Sequence, residues 1–96
     1  MKFYYVYILE SVSNPGAFYY GFTENLEQRL KEHNAGKSPH TAKHKPWRIV
    51  AAIAVEDKHT ALKFEKYIKS HSGRAFAAKH FLQLTPSLKL PKSLPG

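Results

Sequence analysis

Tyr19 to Gly36 reads Tyr-Tyr-Gly-Phe-Thr-Glu-Asn-Leu-Glu-Gln-Arg-Leu-Lys-Glu-His-Asn-Ala-Gly, an aromatic strand end running directly into a helix. The spacing predicts a helix over residues 24–35. Thr23 is the expected N-cap, since its hydroxyl can accept from the unpaired amides of the first turn. Glu24 and Glu27 sit where the helix dipole favours negative charge, and Gly36 can take the left-handed conformation that closes a helix. At about 100° per residue from Leu26, Leu30 falls near 40°, His33 near 340° and Arg29 near 300°. The two leucines form the buried stripe. Arg29 and His33, one turn apart, share its edge. Each has a plain reading, because basic stems often lie along apolar surface. Together they place a cation and an imidazole beneath a cluster of tyrosines.

Working outward, residues 3–9 (Phe-Tyr-Tyr-Val-Tyr-Ile-Leu) are β-branched and aromatic without polar alternation, the pattern of a strand covered on both faces. Ser-Asn-Pro-Gly at residues 13–16 marks a turn, and residues 17–22 form the partner strand of a hairpin. The two-residue period puts Tyr5 and Tyr7 on one face, with Tyr19 able to meet Tyr7 across the ladder. After the helix comes a loop, residues 37–47, carrying Lys37, Lys43, Lys45, His40 and His44 between Pro39 and Pro46 and ending at Trp47. Residues 48–55 are a third apolar strand. Asp57 caps a second helix running to about His71, Ser72-Gly73 is expected to break it, and residues 74–84 make a short last helix. The expected architecture is α/β (α+β): a small three-stranded sheet flanked by helices, in the order β-β-α-β-α-α. Residues 1–84 form the domain, and residues 85–96 a Pro-rich extended tail.

One carboxylate does not fit its surroundings. On the second helix the same count places Glu65 inside the apolar arc that Ala61, Leu62, Phe64 and Ile68 define, while Lys63, Lys66 and Lys69 occupy the solvated side. An ionised carboxylate within an apolar arc needs a partner. Glu65 therefore either pairs with a cation, Arg29 being one candidate, or binds a metal. A lone carboxylate suits one hard divalent ion that keeps most of its waters. Such an ion polarises phosphate, a guanidinium neutralises phosphoryl oxygens, and a tyrosine near a cation can lose its proton and act as base.

Composition bounds the partners. Ninety-six residues allow one domain with a modest core. The absence of cysteine rules out disulfides and thiolate zinc sites. No apolar run approaches membrane-spanning length and no signal-peptide layout opens the chain, so the cytosol is the expected compartment and no membrane partner is expected. Fifteen Lys and Arg against seven Asp and Glu leave a net charge of +8, a field that attracts polyanions such as DNA.

With these residues in place, about residues 3–81 resemble a GIY-YIG nuclease domain, most closely the small stand-alone bacterial members. Tyr5-Val6-Tyr7 matches the first signature element and Tyr19-Tyr20-Gly21 the second, in that order and separated by a short gap. Arg29, His33 and Glu65 match the downstream arginine, histidine and glutamate. The first element opens on Tyr5 where the family has glycine. No asparagine follows Asn34, so the family's late asparagine is absent or replaced by His80. The resemblance implies an endonuclease hydrolysing DNA phosphodiester bonds with one Mg²⁺ or Mn²⁺, in repair or recombination. It implies Tyr7 as general base, Tyr19 holding water or phosphate, and Arg29 stabilising the transition state. His33 would bond Tyr7 or the phosphate and relay a proton, and Glu65 would hold the metal. Lys37, Lys43, Lys45 and Arg48 would sit on the DNA backbone. The alternative is a non-catalytic nucleic-acid binder on the same domain. A zinc module built on His40 and His44 has too few ligands.

Overall fold

The computed structural model describes residues 2–82; the tail expected over residues 85–96 lies outside them. Strand β1 is Tyr4–Ser11, β2 is Phe18–Thr23 and β3 is Trp47–Val55. Helix α1 is Leu26–Asn34, α2 is Lys58–Lys69 and α3 is His71–His80, with one 3-10 turn at Ala42–His44. The strands form one antiparallel sheet in the order β2-β1-β3. The expected element order holds, and β1 is central as its continuous apolar run requires.

The sheet is covered on both faces. Val6, Ile8, Phe18 and Tyr20 meet Ala61 and Ile68 of α2 and Ala77 of α3. On the other face Tyr7, Leu9, Tyr19 and Trp47 pack with Leu26 and Leu30 of α1. Val6, Tyr7, Ile8 and Leu9 are each buried to 2% exposure or less. At about 1.5–3 kcal/mol per large apolar side chain, this makes β1 the rigid frame on which Tyr7 is mounted. Opposite it the pairing with β3 shifts register between Ile8 and Leu9.

Two boundaries differ from the sequence reading. The N-cap of α1 is Asn25, whose side chain accepts from the Gln28 amide at 3.1 Å. Thr23 stays in β2, paired with Tyr5, and its hydroxyl accepts from the Asn25 amide at 3.1 Å. Strand pairing holds Thr23 extended, so the cap moves two residues on. Glu24 then falls outside the helix and pairs with Lys2 at 2.6 Å. At the other end of the domain, the chain breaks between α2 and α3 at Ser70, not at Ser72-Gly73. Ser70 caps α3, accepting from the Gly73 amide at 3.1 Å. Gly73 lies in the first turn because a Cβ there would overlap the Tyr67 carbonyl. Absence of a side chain allows the two helices to meet at one residue.

Candidate active site

The site is built outward from the Tyr7 phenol. Tyr7 stands on the α1 face of β1, and the residue is 2% exposed. Its partner across the ladder is Gly21, so Tyr19 lies diagonally opposite on the same face. The Tyr7 ring crosses β2 through the space Gly21 leaves open: a Cβ on Gly21 would lie 2.9 Å from Tyr7 Cε2 and overlap the hydroxyl. Tyr19 packs beside it with ring centroids 6.3 Å apart.

Helix α1 supplies the next group. His33 is the buried residue of α1, with no exposed surface. Its Nε2 lies 2.9 Å from the Tyr7 hydroxyl and its Nδ1 lies 2.7 Å from Thr41 Oγ1. The Tyr19 ring lies against the imidazole at 5.0 Å, tilted by 59°. Thr41 reaches this position because the loop after α1 is strapped down. Asn34 accepts from the Trp47 amide at 2.6 Å and donates to the Trp47 carbonyl at 3.1 Å. The Trp47 indole donates to the Thr41 carbonyl at 2.9 Å. Ser11 donates to the His44 carbonyl at 2.6 Å. A stretch that reads as a charged loop is thus a clasp whose inner side holds Thr41.

The electrostatics favour neutral partners. Burial pushes the Tyr7 phenol up to about 12, outweighing the pull of the nearby Arg29 guanidinium. The expectation that a nearby cation frees this tyrosine of its proton therefore fails for the protein alone: desolvation of the phenolate wins. Burial, with the Arg29 charge beside it, pushes His33 down to about 4. At neutral pH the pair is a phenol facing a neutral imidazole.

Arg29 sits at the rim, half-buried, and also donates to Glu32 at 2.9 Å. Its ion-pair partner is Glu32, not Glu65. Glu65 keeps 22% of its side chain exposed and pairs with Lys69 at 3.2 Å. Its charge is felt at Tyr7, so the carboxylate stands within electrostatic range of the phenol. Among the described residues no group of three or more His, Asp or Glu converges on one point. Glu65 offers a lone carboxylate, which fits a hard ion that retains its waters.

Residues 3–79 match the GIY-YIG catalytic domain. The chain belongs to the GIY-YIG family. Its relatives include a UPF0213 protein of Lacticaseibacillus paracasei, 39% identical over 83 residues, covering 82% of this chain and 91% of that one. The solution NMR structure of the UPF0213 protein BH0048 from Bacillus halodurans superposes with a TM-score of 0.50 at 32% identity, covering 88% of each chain. The structure-specific endonuclease subunit SLX1 of Debaryomyces hansenii is 39% identical over 70 residues, which span 66% of this chain but 20% of that protein.

The fold brings the GIY-YIG signature elements side by side as β1 and β2, and Tyr7, Tyr19, Arg29 and His33 gather on one face of the sheet. Glu65 lies on α2, the helix packed on the other face, and only its charge reaches Tyr7. Lys37, Lys43 and Lys45 are exposed on or beside the clasp that holds Thr41. Arg48 is not with them. It donates to Glu10 at 2.7 Å, among Phe18 and Phe81 of the opposite face. His80 packs on Phe76 at 4.6 Å in α3, the helix that covers the face opposite Tyr7. His40 and His44 do not pair: His40 is exposed, while His44 is half-buried and packs edge-on against Trp47.

Two contributors went unrecognised in the sequence. Thr41 carried no signal apart from lying between two prolines. Gly21 was visible as part of the second GIY-YIG element, but its reason is the register that sets it opposite Tyr7. Gly21→Ala is expected to displace the phenol, costing about 1–3 kcal/mol of overpacking and about 100-fold in turnover for a shift of roughly 1 Å. Thermal melts beside single-turnover cleavage check this. Unchanged values in both would mean the ring has another place to go.

Proposed function

We propose that this chain is a metal-dependent endonuclease that hydrolyses DNA phosphodiester bonds, acting in the cytosol in repair or recombination. One observation carries the reading: a buried phenol, Tyr7, held 2.9 Å from a neutral histidine, with a guanidinium and a carboxylate near enough for their charges to act on it. Attack of water on phosphorus needs a base, charge neutralisation on the phosphoryl oxygens and help for the leaving oxygen. In this reading Tyr7 takes a proton from the attacking water as its own passes to His33 Nε2. Arg29 spans the phosphoryl oxygens with its planar fork. Tyr19, beside Tyr7 and against His33, orients water or phosphate. Glu65 would hold a single Mg²⁺ or Mn²⁺, which supplies charge stabilisation at the leaving 3′ oxygen when bound. Lys37, Lys43 and Lys45 position the DNA backbone without reading its sequence.

The relative named as a structure-specific endonuclease subunit favours branched DNA as the first substrate to try. The test is a panel of linear and branched DNAs with Mg²⁺, Mn²⁺ or EDTA. Cleavage is expected with either ion and none with EDTA. Binding is expected to persist in EDTA, because the +8 charge does not depend on metal. Binding without cleavage of any substrate in either ion would replace this reading with a non-catalytic nucleic-acid binder.

A further inference from the structure

We propose that Thr41 is a positioning residue: it sets the tautomer of His33 and so makes Nε2 the acceptor of the Tyr7 proton. The tautomer belongs to the protein alone; its catalytic consequence rests on the nuclease reading above.

The direction of each bond follows from which atoms can donate. The Tyr7 hydroxyl bonds His33 Nε2 at 2.9 Å, and the Arg29 guanidinium lies near enough for its charge to act on the phenol. A guanidinium has donors and no acceptor. Among the described residues, then, the phenol proton has one place to go, the lone pair of Nε2. A neutral imidazole that accepts at Nε2 carries its proton on Nδ1. That Nδ1–H is completely buried and needs an acceptor, which is Thr41 Oγ1 at 2.7 Å. The Thr41 hydroxyl proton then turns to the Ser38 carbonyl, a longer contact of 3.4 Å. Tyr7, His33, Thr41 and Ser38 thus form one chain whose protons all point away from the phenol.

Thr41 is held in place for this task. It has no exposed surface. Its carbonyl accepts from the Trp47 indole at 2.9 Å, and its amide donates to the Ser38 carbonyl at 3.1 Å. Trp47 is clamped in turn by Asn34, the residue after His33. The β-branch further restricts where the hydroxyl can point. A valine of the same shape would leave Nδ1–H facing a methyl group. The proton would gain by moving to Nε2, where it would donate to the phenol oxygen and block proton transfer from Tyr7.

The experiment reads the imidazole nitrogens of the metal-free full chain by ¹⁵N NMR, in the wild type, Thr41→Val and Thr41→Ser. The expected wild-type spectrum has His33 protonated on Nδ1 and bare on Nε2. Thr41→Val is expected to move the proton to Nε2 in much of the population and to lower the cleavage rate about 10- to 100-fold, the usual scale for losing the group that orients a functional histidine, with DNA affinity unchanged. Thr41→Ser keeps the hydroxyl and is expected to recover the wild-type tautomer and most of the lost rate. A wild-type His33 protonated on Nε2 overturns the proposal, and needs no variant to fold. So does a Thr41→Val spectrum identical to wild type, or a tautomer change that leaves cleavage untouched. A wild type that cuts no DNA overturns the nuclease reading and the catalytic half of this proposal with it, while the tautomer assignment stands or falls on the spectra.

Discussion

Tyr7→Phe is expected to lower DNA cleavage by about 1,000-fold or more, within the range for removing a general base, while the protein stays folded. The ring that fills the gap over Gly21 is retained, so packing survives. What is lost is the hydroxyl and its bond to His33 Nε2. A buried acceptor without a donor costs about 1–3 kcal/mol, which lowers the melting temperature by several degrees in a domain of this size. The same change alters the pH dependence of stability in a defined sense. The native state holds Tyr7 up to about 12, so the stability it contributes is complete below 10, the ordinary phenol value, and is lost as pH rises from 10 through 12. His33, held down to about 4, contributes stability that is complete above 6.5 and lost as pH falls from 6.5 through 4. Tyr7→Phe should therefore weaken the alkaline fall and keep the acid one. Cleavage at the wild-type rate by Tyr7→Phe would transfer the base role to Tyr19 or His33.

The parts of this arrangement that follow from local periodicity were legible in the sequence. The order of elements, the central place of β1 and the shared edge of Arg29 and His33 all come from counting along one strand or one helix. What the helix wheel could not weigh was the neighbour. It gave the buried stripe of α1 to Leu26 and Leu30, yet both stay partly exposed while His33 is fully enclosed. Two tyrosines from the sheet and a threonine from the following clasp close around the last turn of α1, and none of these contacts is local. Thr23 and Asn25 are both good caps, and strand pairing to Tyr5 decided between them. Gly73 resembled a helix breaker, but its missing side chain is what lets α3 start against the carbonyl of Tyr67. Arg48, expected at the start of the third strand, was grouped with the loop lysines as a backbone contact. The strand period instead turned it to the far face, where Glu10 holds it.

Glu65→Gln is expected to abolish metal-dependent cleavage with little change in stability. The helix wheel left two readings of this carboxylate, half of a buried ion pair or a metal ligand, and they differ in cost. A buried pair broken from one side would cost roughly 3–5 kcal/mol. Arg29, the candidate for that pair, is bonded to Glu32 at 2.9 Å instead. The pair Glu65 does make, with Lys69 at 3.2 Å, leaves 22% and 28% of the two side chains exposed. Solvent screening at that exposure reduces its worth to about 1 kcal/mol or less. Glutamine keeps the shape and loses the charge, so the melting temperature should move by only a few degrees. A second readout separates metal binding from chemistry. An ion that binds only the folded state raises the melting temperature, by the equivalent of about 2.7 kcal/mol at 100 times its dissociation constant. Mg²⁺ or Mn²⁺ should therefore stabilise the wild type and leave Glu65→Gln unmoved. A large drop in melting temperature without metal would make Glu65 structural. Retained cleavage together with retained stabilisation by Mg²⁺ would mean the ion is held elsewhere. Glu65 is the carboxylate whose charge reaches Tyr7, so that result would also remove the ground for a single-metal site beside Tyr7.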